Sequence, residues 1–444
     1  MGKKFVSILL AGVMAVACSF PVFASIERTA ERYNQESIDL SAKELQEKKD
    51  TVQVPEIIDE RIATFVQDKK DMWSVLSKNL NESDYGGKYV KDGVLHIKII
   101  NQDNVSKTIK KILEFVPQKI KNMAESVVIE TDAIYSVEQL EKMMDDLSME
   151  DCERLHIYGI GIKSSINGLT VDSDEWTEEK KKEVSEILGI DINHIEFGIS
   201  TGLYYGDTPS TLEKETRDTP DDYNASPGAL IHNKEAGCNF TLGAGVYYEI
   251  EGITDGGEGE YGWITAGHYC EEDDNFYKQN INYPYMGFVD LVNLEPVEGK
   301  SYATTDAAII YKDRNSEVDF SLGTFNNKVV LNTGEAEEDE EVYMIGGYSG
   351  LLKGKVLNSN YRINNWTGQG PEQYRHMIKT DISSINGDSG GPLLRERNGN
   401  SYTLLGILKG RESDNQAFFT SWNSIENDLV WGKKERPVRV WLWP

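Results

Sequence analysis

The sequence predicts two folded parts, an α+β unit followed by an all-β domain. A chain of 444 residues is too long for one ordinary domain. Up to about residue 200, strand-like segments alternate with helical ones, whereas from residue 229 short apolar runs are separated by Gly, Asn and acidic turns. Apolar residues make up 39% and charged residues 27% of the chain, which is ordinary for a globular protein and excludes wholesale disorder.

The charge of the chain excludes two classes of partner. The 74 acidic residues outnumber the 46 basic ones, so the formal net charge is −28. A surface this negative repels phosphate backbones and anionic lipid headgroups. We therefore expect neither nucleic-acid binding nor docking on a membrane through basic residues.

The first residues have the pattern of a secretion signal, predicted over residues 1–24. Lys3 and Lys4 precede an apolar stretch over residues 5–17, and small side chains follow where a signal peptidase cleaves. A membrane anchor is the alternative, but a spanning helix needs about 20 apolar residues, and Ser7 interrupts this shorter run.

Removal of the signal would give a secreted, extracellular chain without a membrane segment. Lipidation at Cys18 is a second alternative, but Ala15 stands where lipoprotein signals usually carry Leu. An extracellular protein is free to form disulfides.

Residues 25–200 contain the first folded part. Residues 25 to about 85 are rich in Glu, Lys and Gln and are predicted to be helical, and an α+β unit spans about 85–200. Strands are predicted at 94–100, 127–130, 166–171 and 195–199. Helices are predicted at 108–115, 136–144 and 177–188. A capping box of Ser136 and Gln139 opens the second helix, and Gly189 is placed to end the third.

Residues 201–228 have the composition of an exposed linker. Thr, Asp, Pro, Ser and Gly dominate this segment, and it has no apolar period. The domain over 229–444 has the pattern of an all-β barrel or sandwich. Three of its predicted strands lie at 244–248, 307–310 and 404–408.

Three residues of this domain are candidates for catalysis. His268 ends an apolar strand, where a general base can have an open face and a fixed ring, although a lone histidine more often has a structural role. Asp306 opens an apolar strand, so its carboxylate needs a partner such as an imidazole N–H. Ser389 lies in Gly-Asp-Ser-Gly-Gly-Pro, residues 387–392. The glycines permit a tight turn with open N–H groups; the alternative is a Gly-rich hairpin.

The chain order His268, Asp306, Ser389 differs from that of subtilisins and α/β-hydrolases. Together with the motifs around these residues, it makes residues 229–444 resemble the chymotrypsin-fold serine proteases, most of all the bacterial streptogrisin and α-lytic group. The end of the chain supports the resemblance, since Phe418 and Phe419 are followed by a predicted short helix and a strand at 438–440.

The resemblance implies two six-stranded antiparallel β-barrels and a catalytic triad. Ser389 would attack a peptide carbonyl, His268 would transfer the proton, and Asp306 would orient the imidazole. The backbone N–H groups of Gly387 and Ser389 would bind the oxyanion. This chemistry requires no metal and no organic cofactor, and its partner is a polypeptide substrate.

The resemblance also implies that residues 25–200 are a pro-region, with the maturation site in the 201–228 linker. A β-domain of high contact order folds slowly, so an attached inhibitor or folding aid is physically reasonable. The leading hypothesis is a secreted serine endopeptidase made as a zymogen. Two alternatives stay open: a catalytically silent protease-fold module for binding or adhesion, and an esterase that uses the same triad.

A disulfide between Cys238 and Cys270 is implied in the same way, because the family places a bridge beside the histidine. Tyr269 stands between His268 and Cys270, whereas the family usually has these two residues adjacent. Cys152 is then expected to be an unpaired core thiol.

The predicted substrate pocket departs from the family pattern. Ser383 stands at the position of the pocket floor, so a preference for Arg or Lys is not expected. Lys409, Gly410 and Arg411 replace Ser-Gly-Gly or Ser-Trp-Gly, which removes a hydroxyl that commonly supports the catalytic aspartate. The two cations would favour an acidic or polar substrate side chain, whereas the acidic loop at 271–274 would repel one.

Other acidic residues leave questions open. The runs 271–274 and 335–341 could attract calcium, but charge blocks usually lie in solvated loops. The histidines are scattered and no Cys-x-x-Cys occurs, so no metal site is predicted. Asp388 needs a cationic partner if it is buried, and the sequence does not identify one.

Overall fold

The structure of the chain is a computed structural model. It describes residues 82–100, 127–202, 224–250, 259–278, 284–293, 302–314, 316, 319–320, 324–325, 328–365, 371–397, 401–412, 416–428, 430–431 and 436–442. The predicted signal peptide, the predicted helices before residue 82 and at 108–115, and most of the predicted linker lie outside these residues.

The described residues between 82 and 202, here called the N-terminal unit, contain both strands and helices. The strands are β1 Tyr85–Lys91, β2 Val94–Ile99, β3 Val127–Glu130, β4 Ile157–Lys163, β5 Gly168–Ser173 and β6 Ile195–Ile199. The helices are α1 Val137–Asp146, α2 Met149–Arg154 and α3 Glu178–Leu188. β1, β2 and β3 form a small sheet, whereas β4, β5 and β6 belong to a much larger one.

The helix ends of this unit follow the sequence signals. The N–H of Gln139 donates to the Ser136 hydroxyl (3.1 Å), and the N–H of Ser136 donates to the Gln139 side chain (2.9 Å), so the predicted capping box is confirmed. Thr177 caps α3, and Gly189 ends it in the left-handed conformation with φ 63°. Both helices turn apolar side chains toward β4 and β5, among them the fully buried Leu140 and Val184.

The C-terminal domain, residues 224–442, consists mostly of strands. They are β7 Asn224–Ala225, β8 Leu230–Asn233, β9 Cys238–Thr241, β10 Ala244–Ile250, β11 Glu260–Thr265, β12 Asn275–Lys278, β13 Tyr285–Asn293, β14 Tyr302–Ala303, β15 Ala307–Lys312, β16 Asp319–Phe320, β17 Thr324–Phe325, β18 Lys328–Thr333, β19 Glu341–Gly346, β20 Gly350–Asn364, β21 Gln373–Thr380, β22 Pro392–Arg397, β23 Ser401–Arg411, β24 Ala417–Ser421, β25 Val430–Trp431 and β26 Arg436–Leu442. Helix α4, Trp422–Asp428, precedes β25. The predicted strands in β10, β15 and β23 are confirmed, as are the closing helix and the strand after it. None of the helices in the described ranges is both long and apolar enough to cross a membrane.

Two hydrogen-bonded sheets make up most of this domain. Nine of the described strands form the first sheet in the order β25-β26-β10-β11-β15-β13-β12-β8-β9. The second runs β14-β21-β24-β23-β22-β19-β20 and then continues into β4, β5 and β6 of the N-terminal unit. One buried cluster takes Val246 and Ile264 from the first sheet and Leu404 and Ile407 from the second, so the sheets pack face to face. The expectation of two six-stranded barrels stays a prediction.

The joint between the two parts of the chain is the pairing of β4 with β20. Gly161 lies opposite Tyr361 in this antiparallel pair. The sequence did not predict β4, because two glycines weaken its intrinsic strand preference. Close packing requires them, since a Cβ at Gly159 would lie 2.0 Å from the Tyr361 hydroxyl and one at Gly161 2.6 Å from the amide of Asn358.

Buried polar contacts accompany this joint. Lys379 on β21 places its Nζ 2.7 Å from Oδ2 of Asp172 on β5 and 3.5 Å from Oε1 of Glu412. The Arg362 guanidinium donates to the carbonyl of Met144 at the end of α1 (2.6 Å). Such contacts require a fixed relative position of their partners, so we expect them to define how the unit docks.

The acidic segment 335–341 is largely buried. Its three buried glutamates each form an ion pair: Lys88–Glu337 (3.0 Å), Lys163–Glu338 (3.2 Å) and Arg395–Glu340 (2.8 Å). The expectation of a solvated loop is therefore wrong here, because cations from the N-terminal unit and from β22 cover the carboxylates. Among the described residues, no group of His, Cys, Asp and Glu is arranged to hold a metal ion.

The C-terminal end of the predicted linker is part of the domain. Ala225 is buried in an apolar cluster with Ile231, and the N–H of Gly228 donates to the carbonyl of Leu242 (2.7 Å). The expectation of an exposed linker is thus wrong for residues 224–228.

Candidate active site

The three candidate catalytic residues lie at strand ends on the two packed sheets. His268 follows β11, and Asp306 immediately precedes β15, the neighbour of β11 in the first sheet. Ser389 lies in the turn before β22 of the second sheet. The packing of the sheets brings these distant segments of the chain to one place.

A continuous chain of hydrogen bonds joins the three side chains. The His268 Nδ1 lies 2.9 Å from Oδ2 of Asp306, and its Nε2 lies 3.0 Å from Oγ of Ser389. Because the Asp306 carboxylate can only accept a hydrogen bond, the imidazole takes the tautomer in which Nδ1 carries the proton and Nε2 is an acceptor. The serine hydroxyl is then the donor to Nε2, which is the arrangement a general base needs.

Asp306 is the most constrained member of the group. Its side chain is fully buried, and Oδ1 accepts the N–H groups of Gly267 (2.7 Å) and His268 (2.9 Å). Oδ2 accepts from both His268 and the Lys409 ammonium, whose Nζ is 2.7 Å away. Burial alone would raise the pKa of Asp306, but Lys409, His268 and their hydrogen bonds hold it well below the ordinary value.

Lys409 therefore lies beneath the candidate triad and does not line a substrate pocket. It is only 3% exposed, and its ammonium lies 3.6 Å from the centre of the Tyr374 ring. The prediction of a pocket role for Lys409 is wrong, because the side chain points to a buried carboxylate. Of the other predicted pocket residues, Gly410 and Arg411 are half-buried at the end of β23 and Ser383 is exposed.

The turn that carries Ser389 depends on its glycines. Gly387 and Gly390 have φ of 92° and 88°, values that L side chains rarely adopt. A Cβ at Gly390 would also lie 2.2 Å from Oγ1 of Thr265. Within the described part of the chain, no group accepts the N–H of Gly387 or of Ser389. These are the two donors that the resemblance assigns to an oxyanion.

Asp388 is buried without a cationic partner among the described residues. Its Oδ1 accepts the N–H groups of Tyr348 (3.0 Å) and Ser349 (3.1 Å). Its Oδ2 accepts the N–H of Ile385 (3.0 Å) and the Ser349 hydroxyl. Four donors thus replace the cation that the sequence led us to expect. The three from Tyr348 and Ser349 tie the turn of Ser389 to the loop between β19 and β20.

We expect Ser349→Ala to lower stability by about 1–3 kcal/mol, because it removes a donor to a buried carboxylate. The turn of Ser389 would also loosen, so kcat should fall by about tenfold. Urea unfolding and steady-state kinetics measure the two effects. Ser165→Ala is the matched control, since this hydroxyl of the N-terminal unit donates to the buried Glu338 (2.6 Å), away from the turn of Ser389. Equal kinetic losses in both variants would contradict the assignment.

The described cysteines form no disulfide. Cys152, Cys238 and Cys270 are buried free thiols, so the predicted bridge between Cys238 and Cys270 is not formed. The Cys270 Sγ turns toward the carbonyl of Ala266 (3.5 Å), and Tyr269 before it takes a left-handed φ of 63°. Burial raises the pKa of Cys238 to about 12 and that of Cys270 well above its ordinary value, so both thiols are neutral.

Three solved bacterial serine proteases illustrate what the chain is similar to. Thermobifida fusca Protease A is 18% identical over 45% of this chain and 92% of that one, with a TM-score of 0.33. A Nocardiopsis protease is 17% identical over 49% of this chain and 98% of its own, with a TM-score of 0.35. A Cellulomonas bogoriensis chymotrypsin is 20% identical over 46% of this chain and 93% of its own, with a TM-score of 0.33. These are bacterial chymotrypsin-fold serine proteases, the group that the motifs resemble. A scan of protein-family models and a search of curated proteins return no match.

Proposed function

We propose that the chain is a secreted serine endopeptidase made as a zymogen. The observation that supports this proposal is the hydrogen-bonded series Asp306–His268–Ser389. The distance from Oδ2 of Asp306 to Nδ1 of His268 is 2.9 Å, and that from Nε2 of His268 to Oγ of Ser389 is 3.0 Å. A nucleophile within reach of a base, and a base held by a carboxylate, is the arrangement needed for acyl transfer.

On this proposal, the Ser389 Oγ attacks the carbonyl carbon of a peptide bond while the Nε2 of His268 takes the hydroxyl proton. The N–H groups of Gly387 and Ser389 donate to the oxyanion that forms. His268 then gives its proton to the leaving amine, which leaves an acyl-enzyme on Ser389. Water, deprotonated by the same imidazole, releases the acid and restores the serine.

The N-terminal unit is proposed to act as the pro-region. Its strand β4 extends the second sheet through β20, and buried ion pairs such as Asp172–Lys379 link the two parts. A segment that completes a sheet and neutralises buried charges can assist the folding of a slow β-domain. Maturation is proposed to occur in the predicted linker, in the part N-terminal to residue 224.

Labelling with a fluorophosphonate and turnover of a peptide library test the proposal. The purified wild-type chain is expected to be labelled at Ser389 and to cleave peptides. Ser389→Ala should lose labelling and lower kcat by about 10⁶-fold, close to the effect of removing the whole triad. Equal turnover in the two proteins would reject the proposal and favour a binding module with the same fold, whereas turnover of esters alone would identify an esterase.

A further inference from the structure

We propose that Lys409 is a positioning residue of the triad and sets the lower pH limit of its activity. The kinetic part of this inference rests on the proposed peptidase function. Lys409 reaches Asp306 from β23, while His268 reaches it from the loop after β11. Both nitrogens bond to the same oxygen, Oδ2, at 2.7 and 2.9 Å.

Because they share Oδ2, the Lys409 Nζ and the His268 Nδ1 lie less than about 6 Å apart. The side chains of Lys409 and Asp306 are 2% and 0% exposed, so little water screens them. In the neutral state of His268 the ammonium and the carboxylate cancel. When His268 accepts a proton, the site carries two cations and one anion. The repulsion between the Lys409 ammonium and the imidazolium therefore opposes this protonation of His268 from solvent.

Among the described residues around the imidazole, few other groups add a charge that would act on the protonation of His268. Asp306 comes from the loop before β15, Lys409 from β23, and Cys270 and Tyr269 from the loop of His268 itself. The pKa of the Cys270 thiol is raised by burial, so this thiol contributes no charge. The ring of Phe240 on β9 covers the imidazole at 6.0 Å without charge. Lys409 is thus the cation that faces the Asp306–His268 pair from the second sheet.

Lys409 also constrains the position of Asp306. Its ammonium is held between Oδ2 and the face of the Tyr374 ring. That ring belongs to β21, which is separated from β23 by β24 in the second sheet. The carboxylate is thereby attached to the second sheet, which carries Ser389, as well as to the first sheet, which carries His268. This contact keeps the base and the nucleophile aligned across the interface between the two packed sheets.

The experiment compares the pH dependence of kcat/KM for the wild type, Lys409→Met and Lys409→Ser. Removal of the cation should move the acidic limb to higher pH by about one to two units, the shift expected for two like charges at this separation. The plateau should change by about tenfold or less, since Gly267 and His268 still hold Asp306. An acidic limb unchanged in both variants would overturn the proposal.

Lys379→Met is the matched control. Lys379 is also buried and also pairs with a carboxylate at 2.7 Å, but its partner is Asp172 of the N-terminal unit. This variant should lose stability without a shift of the acidic limb. If the acidic limb lies at the same pH in Lys379→Met and Lys409→Met, and both variants lose equal stability, the role of Lys409 is structural only. If Lys409→Met does not fold, Lys409→Arg provides the complementary test, because it retains the charge and should leave the limb in place.

An NMR titration of the His268 imidazole separates this inference from the proposed function. The titration midpoint should rise in Lys409→Met by the same one to two units, whether or not the protein cleaves peptides. A wild-type chain without peptidase activity and without fluorophosphonate labelling would reject the proposed function alone. An unchanged midpoint in the variant would reject the role of Lys409 alone.

Discussion

Replacing Asp306 with asparagine is expected to lower kcat by about 10⁴-fold, because an amide cannot hold the imidazole in its working tautomer. In one orientation the amide nitrogen would replace Oδ2 and face both the His268 Nδ1–H and the Lys409 ammonium. In the other it would replace Oδ1 and face the backbone N–H groups of Gly267 and His268. All of these groups are donors, so either orientation leaves donors without an acceptor. Steady-state kinetics on a peptide substrate measure the loss, with Ser389→Ala as the baseline. A kcat within tenfold of the wild type would show that Asp306 does not act in the triad.

The same substitution is expected to lower the free energy of unfolding by about 3–5 kcal/mol, because Lys409 is left as a buried charge without its counter-ion. The double variant Asp306→Asn/Lys409→Met removes both charges and should recover most of that stability, while its kcat stays low. Urea unfolding of the three proteins measures these differences. If the double variant is no more stable than Asp306→Asn, the ion pair is not the cause of the loss.

The sequence predicted those elements whose signals are local. The sequence predicted the helix over 177–188 and the glycine that ends it, and the structure confirms both. The strand β4 was missed because the reason for its glycines lies in Tyr361 and Asn358, about two hundred positions further along the chain. A pattern within seven residues carries no information about a neighbour at that distance.

The candidate site shows the same division. The order and motifs of His268, Asp306 and Ser389 are visible in the sequence, and the structure brings their side chains together. The strand position of Lys409 was predicted, but the orientation of its side chain was not. A lysine on a strand bordering the substrate cleft was predicted to contact the substrate. An alternation rule places the side chain on one face of the sheet, but the buried carboxylate opposite it appears only in the fold. The role of Ser349 gave no recognisable signal, because its partner Asp388 lies about forty positions further along the chain.

The buried pair Asp172–Lys379 gives the second large expected effect. Asp172 stands on β5 of the N-terminal unit, Lys379 stands on β21 of the C-terminal domain, and both side chains are at most 5% exposed. The Tyr361 hydroxyl also donates to Asp172. Without Asp172, the Lys379 ammonium would keep the longer contacts of 3.5 Å to Glu412 and to the Tyr361 hydroxyl. Asp172→Ala is therefore expected to lower the stability of the joint by about 3–5 kcal/mol.

Limited proteolysis and urea unfolding of the intact chain measure this effect. In Asp172→Ala, the N-terminal unit should become sensitive to an added protease under conditions in which the wild type resists. The control is Glu183→Ala, which removes an exposed ion pair of the same unit (Arg154–Glu183, 2.6 Å) and should cost less than about 1 kcal/mol. The joint is not held by the buried pair if the two variants lose equal stability. If only Asp172→Ala releases the unit, a few buried charges determine how firmly a cleaved N-terminal unit would stay bound, because each lost kcal/mol weakens such binding by about fivefold.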